Sequence, residues 1–162
     1  MKNQNRRNFI RTSGAGILAG TLLPAFSPAR DLPENTVPAR IPEMGLASYT
    51  TKEFTLDETI SMCTRVGLKH LGLKSFHLPL DASDETCKAA AAKIRDAGID
   101  FYSAGVIYMN NKEEVDNAFR YAAACGIRMI IGVPAHEWLS YTEEKVKETG
   151  IVVAIHNHGP GD

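Results

Sequence analysis

The sequence has 162 residues, 44% of them apolar and 23% charged, with a formal charge of −1. Those fractions exclude global disorder and collagen-like repeats, and the length suits one core better than two domains. The charge is uneven: residues 1–29 carry four basic and no acidic residues, which leaves 14 Lys and Arg against 19 Asp and Glu in the remainder. A body with that acidic excess is a poor ligand for nucleic acid or an anionic membrane.

The first 29 residues read as an address. Arg6 and Arg7 precede Phe9 and Ile10, an uncharged stretch runs over 12–29, and Ser27-Pro28-Ala29 offers small residues for cleavage. The pattern resembles a twin-arginine export signal, with Asn5 where Ser or Thr is usual. It implies a periplasmic or exported protein that meets the membrane only through this segment. The stretch nearly reaches spanning length, so a permanent anchor is the competing reading, although its glycines and prolines lower its hydrophobicity. Residues 30–43 are proline-rich and aperiodic and read as an extended tether.

From residue 44 onward, strand-like and helix-like segments alternate. Gly67, Gly98, Gly126 and Gly150 each stand before Leu or Ile, at spacings of 31, 28 and 24 residues, the length of a βα unit. Glycine just past a helix closes its last turn in the left-handed conformation, and an apolar run after it suits a strand covered on both faces. The first strand is expected over 45–49 and the first helix over 56–66, where Thr55 and Glu58 form a capping box. A strand over 68–74 and a helix over 83–97, opened by Ser83, follow. The remaining pairs are 101–107 with 112–124 and 128–133 with 141–149, and a fifth strand spans 152–156. Such alternation argues for a parallel sheet with right-handed crossovers.

These are about four and a half βα units, where a closed (β/α)8 barrel has eight strands. Three readings stand: the N-terminal part of a TIM barrel, a complete flavodoxin-like open sheet, or a half-barrel that pairs with itself. No glycine-rich phosphate loop follows the first strand (Tyr49-Thr50-Thr51-Lys52-Glu53), which counts against the flavodoxin-like reading. A last strand with no helix after it favours truncation or a partner. Open edges at the first and fifth strands would invite self-association, so a homodimer is one expectation.

Ligands of parallel α/β folds bind beyond the carboxyl ends of the strands. Those ends carry Tyr49, then Lys74 and His77, then Tyr108, then His136 and Glu137, and finally His156, Asn157 and His158. Four of the five histidines fall there. His156 and His158 share a face if the strand stays extended, so both could ligate one metal ion, or one could ligate while the other acts as acid or base. Local roles compete for several of these residues. Lys74 fits a solvated rim charge, His77 a loop fastener, and Tyr49 and Tyr108 packing residues with satisfied hydroxyls. Cys63, Cys87 and Cys125 lack metal-like spacing and read as small buried hydrophobes on helices. Lys112-Glu113-Glu114 and Glu143-Glu144-Lys145 read as solvated helix faces.

The run Ile151-Val152-Val153-Ala154-Ile155-His156-Asn157-His158-Gly159 resembles the fifth-strand motif of the xylose isomerase-like TIM barrels, the sugar phosphate isomerase/epimerase superfamily. Leu71 through Pro79 and Gly132 through Glu137 resemble a subgroup often found with export signals. The resemblance covers about residues 44–162. It implies a metal-dependent isomerase, epimerase or keto-sugar lyase/hydratase that moves a proton beside a carbonyl through an enediolate. The ligand would be a sugar or keto-sugar, and the cofactor a divalent ion (Mn, Co, Zn or Mg). On that reading His156 is a metal ligand and His158 a second ligand or acid–base group. Glu137 and Lys74 join the chemistry, Lys74 by holding an oxyanion, and His136, His77, Tyr108 and Asn157 contact substrate.

This sequence departs from the pattern in two respects. His156 stands where Glu is common, which shifts preference away from hard Mg²⁺. The family's remaining ligands come from strands six to eight, which the sequence lacks. The chain alone is therefore expected to be inactive, since open catalytic sites keep about three protein ligands. A non-catalytic carbohydrate-binding or scaffold protein on the same fold is the alternative.

Overall fold

The structure, a computed structural model, describes residues 42–157. The export-signal expectation, most of the tether and His158 lie outside those residues. The order is β1 (Gly45–Ala47), α1 (Leu56–Val66), β2 (His70–Leu73), α2 (Asp84–Asp96), β3 (Asp100–Met109), α3 (Lys112–Cys125), β4 (Met129–Pro134), α4 (Leu139–Thr149) and β5 (Val152–Ile155). Short 3₁₀ turns at Ser48–Thr51 and His136–Trp138 leave β1 and β4. Among the described residues, no helix is long and apolar enough to cross a membrane.

Local chemistry places the helix ends. The Thr55 hydroxyl accepts from the Glu58 amide at 3.2 Å, and the Glu58 carboxylate accepts from the Thr55 amide at 2.8 Å. This reciprocal pair satisfies two amides that the first turn leaves free. Ser83 caps α2 in the same sense, and Asn111 caps α3 through the Glu114 amide at 2.9 Å. Gly67, Gly126 and Gly150 close α1, α3 and α4 with φ of 75°, 61° and 71°, a region that side chains with a Cβ rarely adopt.

All four strand pairings are parallel, and the spatial order is the chain order, β1-β2-β3-β4-β5. That order decides between two of the expected architectures. A flavodoxin-like sheet reverses direction at a switch point and places β2 outside β1. Here every new strand adds to the same edge, as in an arc of a (β/α)8 barrel. The chain is α/β with five parallel strands in one sheet, consistent with a partial TIM barrel. Its edges are β1 and β5, as expected.

One face of the sheet carries the core. Leu71 and Leu73 of β2, Phe101, Ile107 and Met109 of β3 and Ile130 of β4 are buried with Cys63 of α1, Cys87 and Ile94 of α2, and Val115, Phe119 and Cys125 of α3. All three cysteines are buried and free, and burial pushes the Cys125 thiol up to about 12. They are inert packing groups, as expected. Side chains alternate along a strand, so Met129, Ile131 and Val133 of β4 and Ala154 of β5 belong to the opposite face and are only half-buried.

The expected boundaries shift at specific contacts. β1 stops at Ala47 because the chain turns to let Thr51 Oγ1 donate to the Ser48 carbonyl at 3.0 Å. β3 runs on to Met109, whose carbonyl accepts from the Ala135 amide at 2.9 Å. Lys145, expected on a solvated face, instead reaches Asp116 of α3 at 3.4 Å and is only 25% exposed. It lies between α3 and α4.

At the amino ends of the strands, Arg128 donates twice to Asp100, at 2.9 and 2.6 Å, while His70 lies 3.1 Å from Asp100 and 2.9 Å from Glu43. The cluster ties the segment before β1 to the starts of β2, β3 and β4. Arg128, and after it His70, hold the Asp100 carboxyl below its ordinary value. A lowered native pKa contributes stability above the ordinary carboxylate range and loses it as pH falls through the native value. Arg128→Gln should therefore narrow the difference in melting temperature between pH 6 and pH 3. An unchanged difference would show that the pair contributes nothing to acid stability.

Candidate functional site

The carboxyl end of β1 is organised by buried hydroxyls. Ser48, Thr51 and Thr59 have relative exposures of 0%, 5% and 0%. Buried hydroxyls require partners, and these find one another and His77. The Lys74 amide donates to Ser48 Oγ at 2.9 Å, and Ser48 Oγ lies 3.0 Å from His77 Nδ1. His77 Nε2 lies 3.0 Å from the Phe54 carbonyl and 3.2 Å from Thr59 Oγ1. Thr59 Oγ1 donates to Thr51 Oγ1 at 3.0 Å, and Thr51 donates onward to the Ser48 carbonyl.

A carbonyl only accepts, so Nε2 carries the ring hydrogen. Nδ1 then accepts from the Ser48 hydroxyl, whose oxygen in turn accepts from the Lys74 amide. Every polar hydrogen in this chain of bonds has an acceptor. The network joins the ends of β1 and β2 to the first turn of α1. His77 thus has the loop-fastening role that its place before Leu78-Pro79 suggested, with both ring nitrogens engaged inside the protein.

On this fastened base stand exposed aromatics. Tyr49 sits within the 3₁₀ turn and is 60% exposed, and Phe76, next to His77, is 48% exposed. Their ring centroids are 6.3 Å apart at an interplanar angle of 59°. The Phe76 and His77 rings are 4.7 Å apart. The Lys74 ammonium lies 5.8 Å from the Tyr49 centroid, and the Lys52 ammonium 5.7 Å. Tyr49 is therefore a surface ring flanked by cations, in place of a packing residue with a satisfied hydroxyl. Tyr108, near the end of β3, is likewise exposed, at 54%.

The other expected residues occupy the carboxyl ends of β4 and β5. His136 and Glu137 lie in the 3₁₀ turn after Pro134, both exposed. Pairing runs Tyr108 with Val133, and Gly132 with Ile155. The His156 amide donates to the Gly132 carbonyl at 2.9 Å, which prolongs the ladder by one bond beyond β5. His156 is half-buried and Asn157 exposed. The expected residues thus stand at the ends of four adjacent strands: Lys74 and His77 beyond β2, Tyr108 in β3, His136 and Glu137 beyond β4, and His156 and Asn157 beyond β5. Ser48, Thr51, Thr59, Phe54 and Phe76 were missing from the expected set. The hydroxyl run Ser48-Tyr49-Thr50-Thr51 directly after a strand is a sequence signal that could have marked Ser48 and Thr51, and no local signal marks Thr59, Phe54 or Phe76.

A catalytic divalent ion needs about three protein ligands. Among the described residues, no three His, Cys, Asp or Glu side chains stand together in a way that could hold one. The described part of the chain does not by itself make a metal site.

No protein-family model matches the chain, and no curated protein matches it. Solved structures do. An uncharacterised protein from Parabacteroides distasonis is similar over 70% of this chain and 52% of its own, at 26% identity and a TM-score of 0.64. Protein SMc04130 from Sinorhizobium meliloti is similar over 73% and 51%, at 14% identity and a TM-score of 0.57. A xylose isomerase domain-containing protein from Salmonella typhimurium aligns over 65% and 43%, at 12% identity and a TM-score of 0.48. The chain spans about half the length of the solved structures it matches.

Replacing Ser48 by Ala removes the acceptor for the Lys74 amide and the donor to His77 in a fully buried setting. Ser48→Ala should cost about 1–3 kcal/mol in denaturant unfolding. A loss within a few tenths of a kcal/mol would show that the network is not a structural requirement.

Proposed function

We propose that the chain contributes the N-terminal arc of an exported sugar isomerase, epimerase or keto-sugar lyase/hydratase of the xylose isomerase-like kind. The observation that carries this reading is the gathering of Lys74, Tyr108, His136, Glu137 and His156 at the carboxyl ends of sequential parallel strands. That is where barrels of this class do their chemistry. The motif resemblance at residues 151–159 and the twin-arginine pattern support the reading from the sequence.

The reaction class is proton transfer at a carbon beside a carbonyl. In it, Glu137 takes and returns the proton, the Lys74 ammonium holds an anionic oxygen of the sugar, and His136, Tyr108 and Asn157 orient hydroxyls, while His77, both of whose ring nitrogens are engaged inside the protein, fastens the loop. His156 is this chain's contribution to a divalent-ion site whose other ligands, His158 among them, lie beyond the described residues. The described side chains do not complete the coordination of that ion.

The test uses the protein at its natural length, incubated in D₂O with a panel of aldoses, ketoses and keto-sugars. Proton NMR should show loss of the signal at the carbon next to the carbonyl. Glu137→Gln should slow that exchange by about 10²-fold or more, and His156→Ala should lower both exchange and bound divalent metal. Exchange and metal content unaffected by both substitutions would overturn the assignment. Saccharide binding without any exchange would favour a non-catalytic carbohydrate-binding role.

A further inference from the structure

We infer that Tyr49, Phe76 and Lys74 form a stacking subsite for the pyranose ring of a hexuronate. The inference rests on the reading that the ligand is a sugar, and it names the class of sugar and the residues that select it.

The first observation is the pair of exposed rings. Tyr49 and Phe76 meet at 6.3 Å and 59°, a tilted aromatic pair that leaves both rings about half exposed to solvent. A pyranose presents a face of axial C–H bonds with slight positive character. The electron-rich face of an aromatic ring attracts such hydrogens as well as shedding water from them.

The second observation is the charge beside the rings. Lys52 and Lys74 both place an ammonium within 6 Å of the Tyr49 centroid. Lys52 has Glu53 at 3.5 Å. Lys74 is half-buried, and among the described residues no carboxylate lies within ion-pair distance of it. In a chain whose residues 30–162 carry an acidic excess, an ammonium beside two exposed rings with no carboxylate at ion-pair distance favours an anion. A ring that carries its own carboxylate meets both demands: the ring covers the aromatics, and the carboxylate pairs with Lys74.

The third observation is rigidity. Tyr49 follows Ser48 in a turn closed by the bond from Thr51, and Phe76 precedes His77. The Ser48–His77 contact at 3.0 Å therefore ties together the two backbones that carry the rings. The Lys74 amide is fixed to the same hydroxyl. A platform fastened before the ligand arrives loses little freedom on binding.

The test is saturation-transfer NMR and equilibrium titration of the full chain with sodium glucuronate, beside methyl glucoside as a neutral comparison. Glucuronate should bind, with its ring protons receiving saturation, and more weakly as NaCl rises. Tyr49→Leu with Phe76→Leu should weaken both sugars about tenfold. Both side chains are exposed, so an unchanged melting temperature checks that the variant is folded. Lys74→Met should weaken glucuronate about tenfold and leave methyl glucoside within about twofold. Absence of glucuronate binding, equal losses for both sugars on Lys74→Met, or unchanged affinity without the two rings would each overturn the proposal.

Failure here and failure of the proposed reaction are separable. Exchange on another sugar in D₂O without glucuronate binding would reject this subsite and keep the reaction. Glucuronate binding at the rings without exchange would keep the subsite and reject the reaction.

Discussion

A ligand group at the end of a parallel strand is only as well placed as the loop that leaves the strand. In this protein the loops after β1 and β2 are fastened to each other by one histidine and three buried hydroxyls. Ser48 stands at the centre of that arrangement, because its side chain takes the Lys74 amide, meets His77, and its carbonyl takes Thr51. Each of these groups would cost free energy if buried without a partner. Their mutual satisfaction makes the β1–β2 mouth a single unit, and the exposed Tyr49 and Phe76 inherit its geometry.

Below that mouth the molecule has two dissimilar faces and two dissimilar ends. The helix-covered face holds the core and its three inert cysteines. The opposite face carries half-buried Met129, Ile131, Val133 and Ala154. At the amino ends, Arg128, Asp100, His70 and Glu43 form an ionic cluster across several strands. At the carboxyl ends, carboxylate-rich pairing gives way to aromatics, histidines and Lys74. Both ends are therefore fastened, the amino ends by ion pairs and the carboxyl ends by the hydroxyls and His77.

The elements were legible wherever local physics decides them. Gly67, Gly126 and Gly150 mark helix ends because only glycine takes that left-handed turn easily, and Thr55 with Glu58 marks a start because the reciprocal cap is encoded in four consecutive residues. The residues at the strand ends could be named from the same alternation. The network was not legible, since it joins residues 18 to 29 positions apart and depends on which strands are neighbours. The same limit applied to strand order: alternation alone fits both a flavodoxin-like sheet and a barrel arc, and only the pairing of each strand with its successor separates them. β1 looked two residues too long in the sequence because the bond from Thr51 to Ser48 that bends the chain cannot be read from apolar patterning.

The histidine tautomer tests the account most directly. Long-range ¹⁵N–¹H correlation spectra of the full chain, labelled on histidine, report which nitrogen of His77 carries hydrogen. The network predicts the Nε2–H form, held to the Phe54 carbonyl, with Nδ1 bare and facing Ser48. A Nδ1–H ring, or one that averages between tautomers in the unsubstituted protein, would contradict the claim that this histidine and these hydroxyls fix the mouth of the sheet.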